Sequence, residues 1–283
     1  MIHDFPRVSQ RFARWVGRWV FVALLTACAL PNPITTATPT PGIPRGGELS
    51  VSLPMPVTAA QPWHLTDRAA EVLTTLTHAG LTRLDDHGVP QLELLDGYAV
   101  DPSGTVITAT LKLDLLWSDG QPLQADDVAF TYNALRAIPV TTPLLHELTF
   151  IRDITTVGEH AIVFRLDAPY APLVTLWTLP ILPAHVLQAQ PFETLNLVTL
   201  ATSAGPFTYA ERDADGAVHL RANPHYVRGK PYLDTVVLFH DADDAQRRDG
   251  FAKGNINVAE RDSATPLAAV PGVTQAAVAR NEL

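Results

Sequence analysis

The chain has 283 residues, 47% of them hydrophobic and 17% charged, with a single cysteine. Charged content below the roughly 25% of an average soluble domain, beside an ordinary apolar share, excludes wholesale disorder. A lone thiol excludes an internal disulfide framework. The net charge of −9 offers no basic surface for a phosphate backbone, so nucleic acid is not an expected partner.

Arg7, Arg11, Arg14 and Arg18 precede an uncharged run from Trp19 to Ala27. Positive, then apolar, then small is the order of a secretory signal. The run is about half of the roughly 20 residues that a helix needs to cross a bilayer. A signal peptide over 1–27 is therefore expected rather than a permanent anchor. Leu25, Thr26, Ala27 and Cys28 resemble the lipobox of bacterial lipoproteins, which implies acylation of Cys28 and attachment to a membrane through that lipid. Over 28–46, Pro31, Pro33, Pro39, Pro41 and Pro44 alternate with Thr35, Thr36, Thr38 and Thr40. Proline favours extended, semi-rigid backbone, so this stretch reads as a tether.

The folded body opens with the alternating Glu48–Leu53, which predicts a strand. Pro54, Pro56 and Pro62 mark an irregular segment. A helix is then expected from Thr66, with Ala69, Val72, Leu73 and Leu76 on one stripe, Thr66 as cap and Gly80 as its end. Leu81–Leu84 reads as a short strand closed by the turn Asp85–Gly88. Asp101–Gly104 separates two extended runs, and in the second Ile107, Ala109, Leu111 and Leu113 share a face. Trp117–Gly120 turns into a helix over Ala125–Arg136, with Asp126 and Asp127 as solvated carboxylates in its first turn. Further strands are expected at Ala161–Leu166, Phe207–Ala210, Val218–Arg221 and Thr235–Phe239, and a short helix at Ala184–Gln188. The sum is a mixed α/β chain with antiparallel hairpins and no repeat.

Five blocks in one order carry a family resemblance. Gly46–Leu49 with Gly80–Leu84, then Trp117–Val128, Ala204–Phe207, Arg221–Asp234 and Asn255–Ala259 resemble the family 5 extracellular solute-binding proteins. These are the peptide- and nickel-binding receptors of bacterial ABC importers. Departures fall on caps and turns: Gln124 stands at a usual threonine, Asn257 at an aspartate, and Ser203 and Ala204 where Gly-Thr is common. The resemblance implies a periplasmic-binding-protein-like fold of type II, cluster C, its first lobe carrying an extra subdomain and its second lobe missing. It assigns 47–65 with 186–262 to lobe I, 66–185 to the extra subdomain and 263–283 to the start of a crossover. It also implies capture of a peptide or similar solute outside the cytoplasmic membrane and delivery to ABC permease subunits. A truncated or split receptor needing a partner lobe, or acting as a surface lipoprotein, and a secreted hydrolase stand as alternatives.

The irregular segment after the first strand is the expected ligand contact. Thr58 and Gln61 can hydrogen-bond a peptide backbone, and Trp63 can pack on a side chain; Trp177 is a second aromatic candidate. Trp117 is expected to pack beside its turn. No metal or cofactor is expected. His240–Asp244 lacks the frame of a calcium loop, and His146-Glu147 has no second histidine at helical spacing. His219 and His225 flank a turn and can meet, though an ordinary surface pair explains them. No nucleophile elbow or phosphate loop is present, so catalysis is not expected.

Overall fold

A computed structural model describes residues 44–63, 67–139, 142–241 and 243–260. The expected signal peptide, the acylated Cys28, the tether before residue 44, the Thr66 cap and the crossover over 263–283 lie outside the described residues. In chain order the first elements are β1 (Glu48–Leu53), α1 (Arg68–Thr77), β2 (Thr82–Leu84), β3 (Pro90–Leu92), β4 (Leu95–Val100) and β5 (Val106–Leu111). There follow α2 (Ala125–Ala137), α3 (Pro143–Glu147), β6 (Ile151–Val157), β7 (Ala161–Leu166), α4 (Leu173–Leu176) and α5 (Ala184–Leu187). The last are β8 (Phe207–Arg212), β9 (Val218–Ala222), β10 (Thr235–His240), α6 (Asp244–Lys253) and β11 (Val258–Ala259).

The strands form two main sheets and a hairpin. A five-stranded mixed sheet runs β11-β1-β10-β9-β8, with β1 parallel to both its neighbours and the rest antiparallel. A four-stranded antiparallel sheet runs β4-β5-β7-β6, and β2 pairs with β3. The first sheet draws its strands from both ends of the described chain, the second from one continuous stretch. Helix α1 packs against β8 of the five-stranded sheet, across the expected boundary at residue 66.

Period-two patterning builds the four-stranded sheet. Ile107, Ala109 and Leu111 of β5 and Ile162, Phe164 and Leu166 of β7 turn inward, and the register sets Ile107 opposite Phe164 and Ala109 opposite Ile162. On this face sits α2, burying Val128, Tyr132 and Leu135. The Tyr132 ring meets Phe164 edge-on at 5.5 Å, and its hydroxyl donates to the Leu176 carbonyl at 3.1 Å. Leu113 departs from the expected face. The strand ends at Leu111, where pairing with β4 stops, and Leu113 is 71% exposed.

Asp127 departs as well, for it is buried rather than solvated. Its Oδ2 accepts from Trp117 Nε1 at 3.2 Å and from the Gln124 amide at 2.9 Å, while Oδ1 accepts from the Ala184 amide at 2.9 Å. One carboxylate thereby joins the Trp117 turn, the start of α2 and the start of α5. Trp117 is fully buried beside its turn, as the family resemblance implied. A buried carboxylate needs such donors to offset the loss of water.

Candidate functional site

A cleft of about 1050 Å3 opens where the end of α1, residues 78–80, β2, the start of α3, residues 178–180 and the loop after β9 converge. Local sequence explains the convergence. Asp67 caps α1 by accepting the Ala70 amide at 2.8 Å, and the buried stripe of Ala69, Ala70, Leu73, Thr74 and Thr77 fixes the helix on the core. The helix ends at Thr77, with His78 already extended, rather than at Gly80. Gly80 has a different task. A Cβ there would sit 2.6 Å from the Trp177 carbonyl oxygen. Its absence lets the two backbones close, and Ile181 N donates to the Ala79 carbonyl while Thr82 N donates to that of Trp177, both at 3.0 Å.

The cleft wall is mostly apolar, with Trp63, Leu76, Leu144, Leu179, Pro180 and Pro206 among its lining. One edge is charged. Glu93, only 3% exposed, accepts a 2.6 Å hydrogen bond from the Tyr226 hydroxyl on Oε1. Its Oε2 lies 3.2 Å from Arg83 Nε, an ion pair by distance whose N–H does not point along a hydrogen-bond line. Burial first, and the Glu93 bond second, push the Tyr226 phenol up to about 12, so it stays protonated and donating. Arg228 lies close enough to the same Tyr226 hydroxyl to oppose part of that shift.

His78 also lines the cleft. Thr77 Oγ1 lies 2.8 Å from both the Leu73 carbonyl oxygen and His78 Nδ1. A carbonyl brings no proton, so the threonine hydroxyl donates to Leu73 and Nδ1–H donates to the threonine. The imidazole is thus a donor to the hydroxyl beside it, the reverse of a general base facing its nucleophile. Burial holds its pKa down at about 4, so the ring is neutral, and Nε2 has no hydrogen-bond partner among the described residues.

The expected site residues separate. Trp63 lines the cleft, its ring stacked on Phe192 at 5.3 Å. Thr58 is exposed and Gln61 half-buried, and neither is part of the cleft lining. Trp177 corrects the expectation outright: its ring is fully buried against Phe164 and Tyr98, because the short α4 turns it into the core. Its neighbours Thr178 and Leu179 line the cleft in its place. Glu93, Tyr226, Arg83 and Arg228 escaped the sequence reading as site residues. The one available signal was the acidic Glu93 set within the apolar run Leu92–Leu95.

His219 pairs with Asp213 at 3.4 Å, as an ordinary surface histidine does. Among the described residues no group of three or more His, Cys, Asp or Glu side chains is placed to hold a metal ion. Among those residues no helix is long and apolar enough to cross a membrane.

Comparison with known proteins is consistent across sequence and structure. The family model described as bacterial extracellular solute-binding proteins, family 5 Middle, matches residues 89–280. Protein XP55 of Streptomyces lividans is 32% identical over 158 residues, covering 56% of this chain and 29% of that one. A putative ABC transporter peptide-binding protein of Brucella ovis is 29% identical over 177 residues, covering 60% of this chain and 33% of that one. The solved structure of the oligopeptide-binding protein AppA from Bacillus subtilis, in complex with a nonapeptide, superimposes with a TM-score of 0.70 at 25% identity. That match covers 77% of this chain and 44% of that one. The chain spans less than half the length of each of these three proteins. Its mixed α/β fold is that of part of a periplasmic binding protein.

Proposed function

The chain belongs to the bacterial extracellular solute-binding proteins of family 5, and from that premise we propose that its cleft captures peptides or similar small solutes outside the cytoplasmic membrane. The captured solute passes to the permease of an ABC importer. The observation that carries this is the cleft itself, a concave and mostly apolar wall whose charged groups lie along one edge. Ligand sites for small molecules have this make-up, apolar area for affinity and sparse polar groups for orientation. Similarity to a putative ABC transporter peptide-binding protein and to a peptide-bound structure supports the solute class.

No chemistry is performed on the solute in this account. The Thr77–His78 pair has the wrong polarity for a nucleophile and its base, and its hydroxyl is buried. The proposed lobes are 47–65 with 186–262 as lobe I and 66–185 as the extra subdomain; the division of the main strands between two sheets supports this, while α1 of the second part packs on β8 of the first. The lipid on Cys28 holds the body at the outer side of the membrane. Cys28→Ser is expected to move the protein from the membrane fraction to the soluble one, and retention in the membrane fraction contradicts the anchor.

Thermal melting of the full chain with a pool of random tripeptides tests capture. A ligand that prefers the native state raises the melting temperature with concentration, by the logarithm of its saturation. A peptide-dependent rise is expected; an unchanged melt across the pool contradicts capture of peptides.

A further inference from the structure

We propose that Arg83 and Arg228 form a carboxylate-binding edge of the cleft, which holds the anionic end of the solute while the apolar wall takes its body. This rests on the solute-binding reading above and adds to it the charge and polarity of the ligand.

The chain as a whole carries −9, yet the charged groups lining the cleft are Arg83, Arg228 and Glu93. Two cations against one carboxylate make this edge a positive island on an acidic protein. Asp85 lies close enough to Arg83 to feel its charge, but it is turned into its own bend. There it accepts the amides of His87 and Val89 and the Gln91 side chain.

Glu93 faces inward, its Oε1 taken by the Tyr226 hydroxyl at 2.6 Å and its Oε2 in an ion pair, without a hydrogen bond, 3.2 Å from Arg83 Nε. That places the carboxylate behind the guanidinium and leaves the terminal nitrogens of Arg83 without a hydrogen-bond partner among the described residues. Arg228 is exposed and lines the same edge beside Tyr226. A planar guanidinium held from behind presents a fork whose spacing matches two carboxylate oxygens, and such paired bonds are shorter and stronger than neutral ones. A solute ammonium would meet the two cations instead.

The test compares a random tripeptide pool bearing free C-terminal carboxylates with the same pool amidated, by calorimetric titration of the full chain. The free acids are expected to bind about tenfold to a hundredfold more tightly, as one or two charge-assisted hydrogen bonds give. In the double variant Arg83→Gln, Arg228→Gln that preference disappears, because the free acids lose far more affinity than the amides. A merely structural role would weaken both pools together, and that result overturns the proposal. So does equal affinity for the two pools, or a preference that survives in the double variant. Should the double variant fail to fold, the preference in the unsubstituted protein is read at low and high salt. Screening is expected to shrink it, and a salt-independent preference overturns the proposal. If neither pool binds, solute capture itself fails and the inference falls with it; binding of both pools equally removes the inference alone.

Discussion

The Tyr226 hydroxyl donates to Glu93 at 2.6 Å across 133 positions of chain, tying the loop after β9 to the segment that follows the β2–β3 hairpin. Two parts of the fold that are remote in sequence are locked at the cleft edge by one bond between a buried carboxylate and a phenol.

That bond gives a first prediction. Tyr226→Phe leaves Glu93 Oε1 buried without its donor and is expected to cost about 1–3 kcal/mol in urea denaturation. Glu93→Gln keeps an acceptor for the phenol and removes the buried charge, so it is expected to cost less. The reverse order of the two variants would show that the pair contributes packing rather than a hydrogen bond.

His78 sets a pH dependence. Its folded pKa of about 4 lies below the ordinary 6.5, because burial penalises the charged ring. Between those values the unfolded chain takes up a proton that the folded chain refuses. Stability is therefore full above about pH 6.5 and falls as pH drops toward 4, by about 3 kcal/mol in all. Asp85, Asp101, Asp119 and Asp213 have carboxyl groups held below their ordinary value. Their stabilisation is lost only as pH falls below about 3.8, beneath the window of His78. Urea denaturation at pH 7.5 and pH 5 is expected to show the loss, and His78→Leu to flatten it. An unchanged slope in His78→Leu would contradict the assignment.

Asp127 is the sharpest stability probe. Asp127→Ala strands three N–H groups, from Trp117, Gln124 and Ala184, and is expected to cost about 3–5 kcal/mol, enough to unfold a marginal domain. Asp127→Asn retains one acceptor oxygen and is expected to fall between the two. Calorimetric melting reads both, and an Asp127→Ala protein as stable as the parent would contradict the buried network.

Gly80→Ala tests the close approach beneath the cleft. The added Cβ meets the Trp177 carbonyl at 2.6 Å and Thr178 backbone at 2.8 Å, so the two backbones must part. A loss of about 1–3 kcal/mol or more is expected, together with faster amide exchange at Ile181 and Thr82, whose bonds bridge the contact. Unchanged exchange at those two amides would contradict this account of Gly80.

The sheets were legible where strands such as β5 and β7 alternate with period two, or where a short apolar run such as β10 stands between turns. β1, β5, β7, β8, β9 and β10 fall within two residues of their expected bounds. β6 was not legible: Ile151 and Ile154 point inward, but a register shift after Ile151 breaks the alternation. Helix α6 has no apolar stripe at all, Arg247 being its buried residue, so only its Asp243 cap and left-handed Gly254 mark it. The cleft was legible in part. Trp63 stood out as an aromatic in an irregular segment, while Trp177 did so equally and proved to be core. Glu93 and Tyr226 are distant in sequence, and no local pattern joins a buried carboxylate to the phenol that satisfies it. Pairs of that kind belong to tertiary structure.

Hydrogen–deuterium exchange of the full chain with and without the tripeptide pool tests most directly whether the solute binds in this cleft. Peptide-dependent protection is expected over residues 74–84, 142–144 and 178–180, the backbone that surrounds the cavity. Protection confined to other segments, or none at any peptide concentration, would contradict the assignment of the cleft.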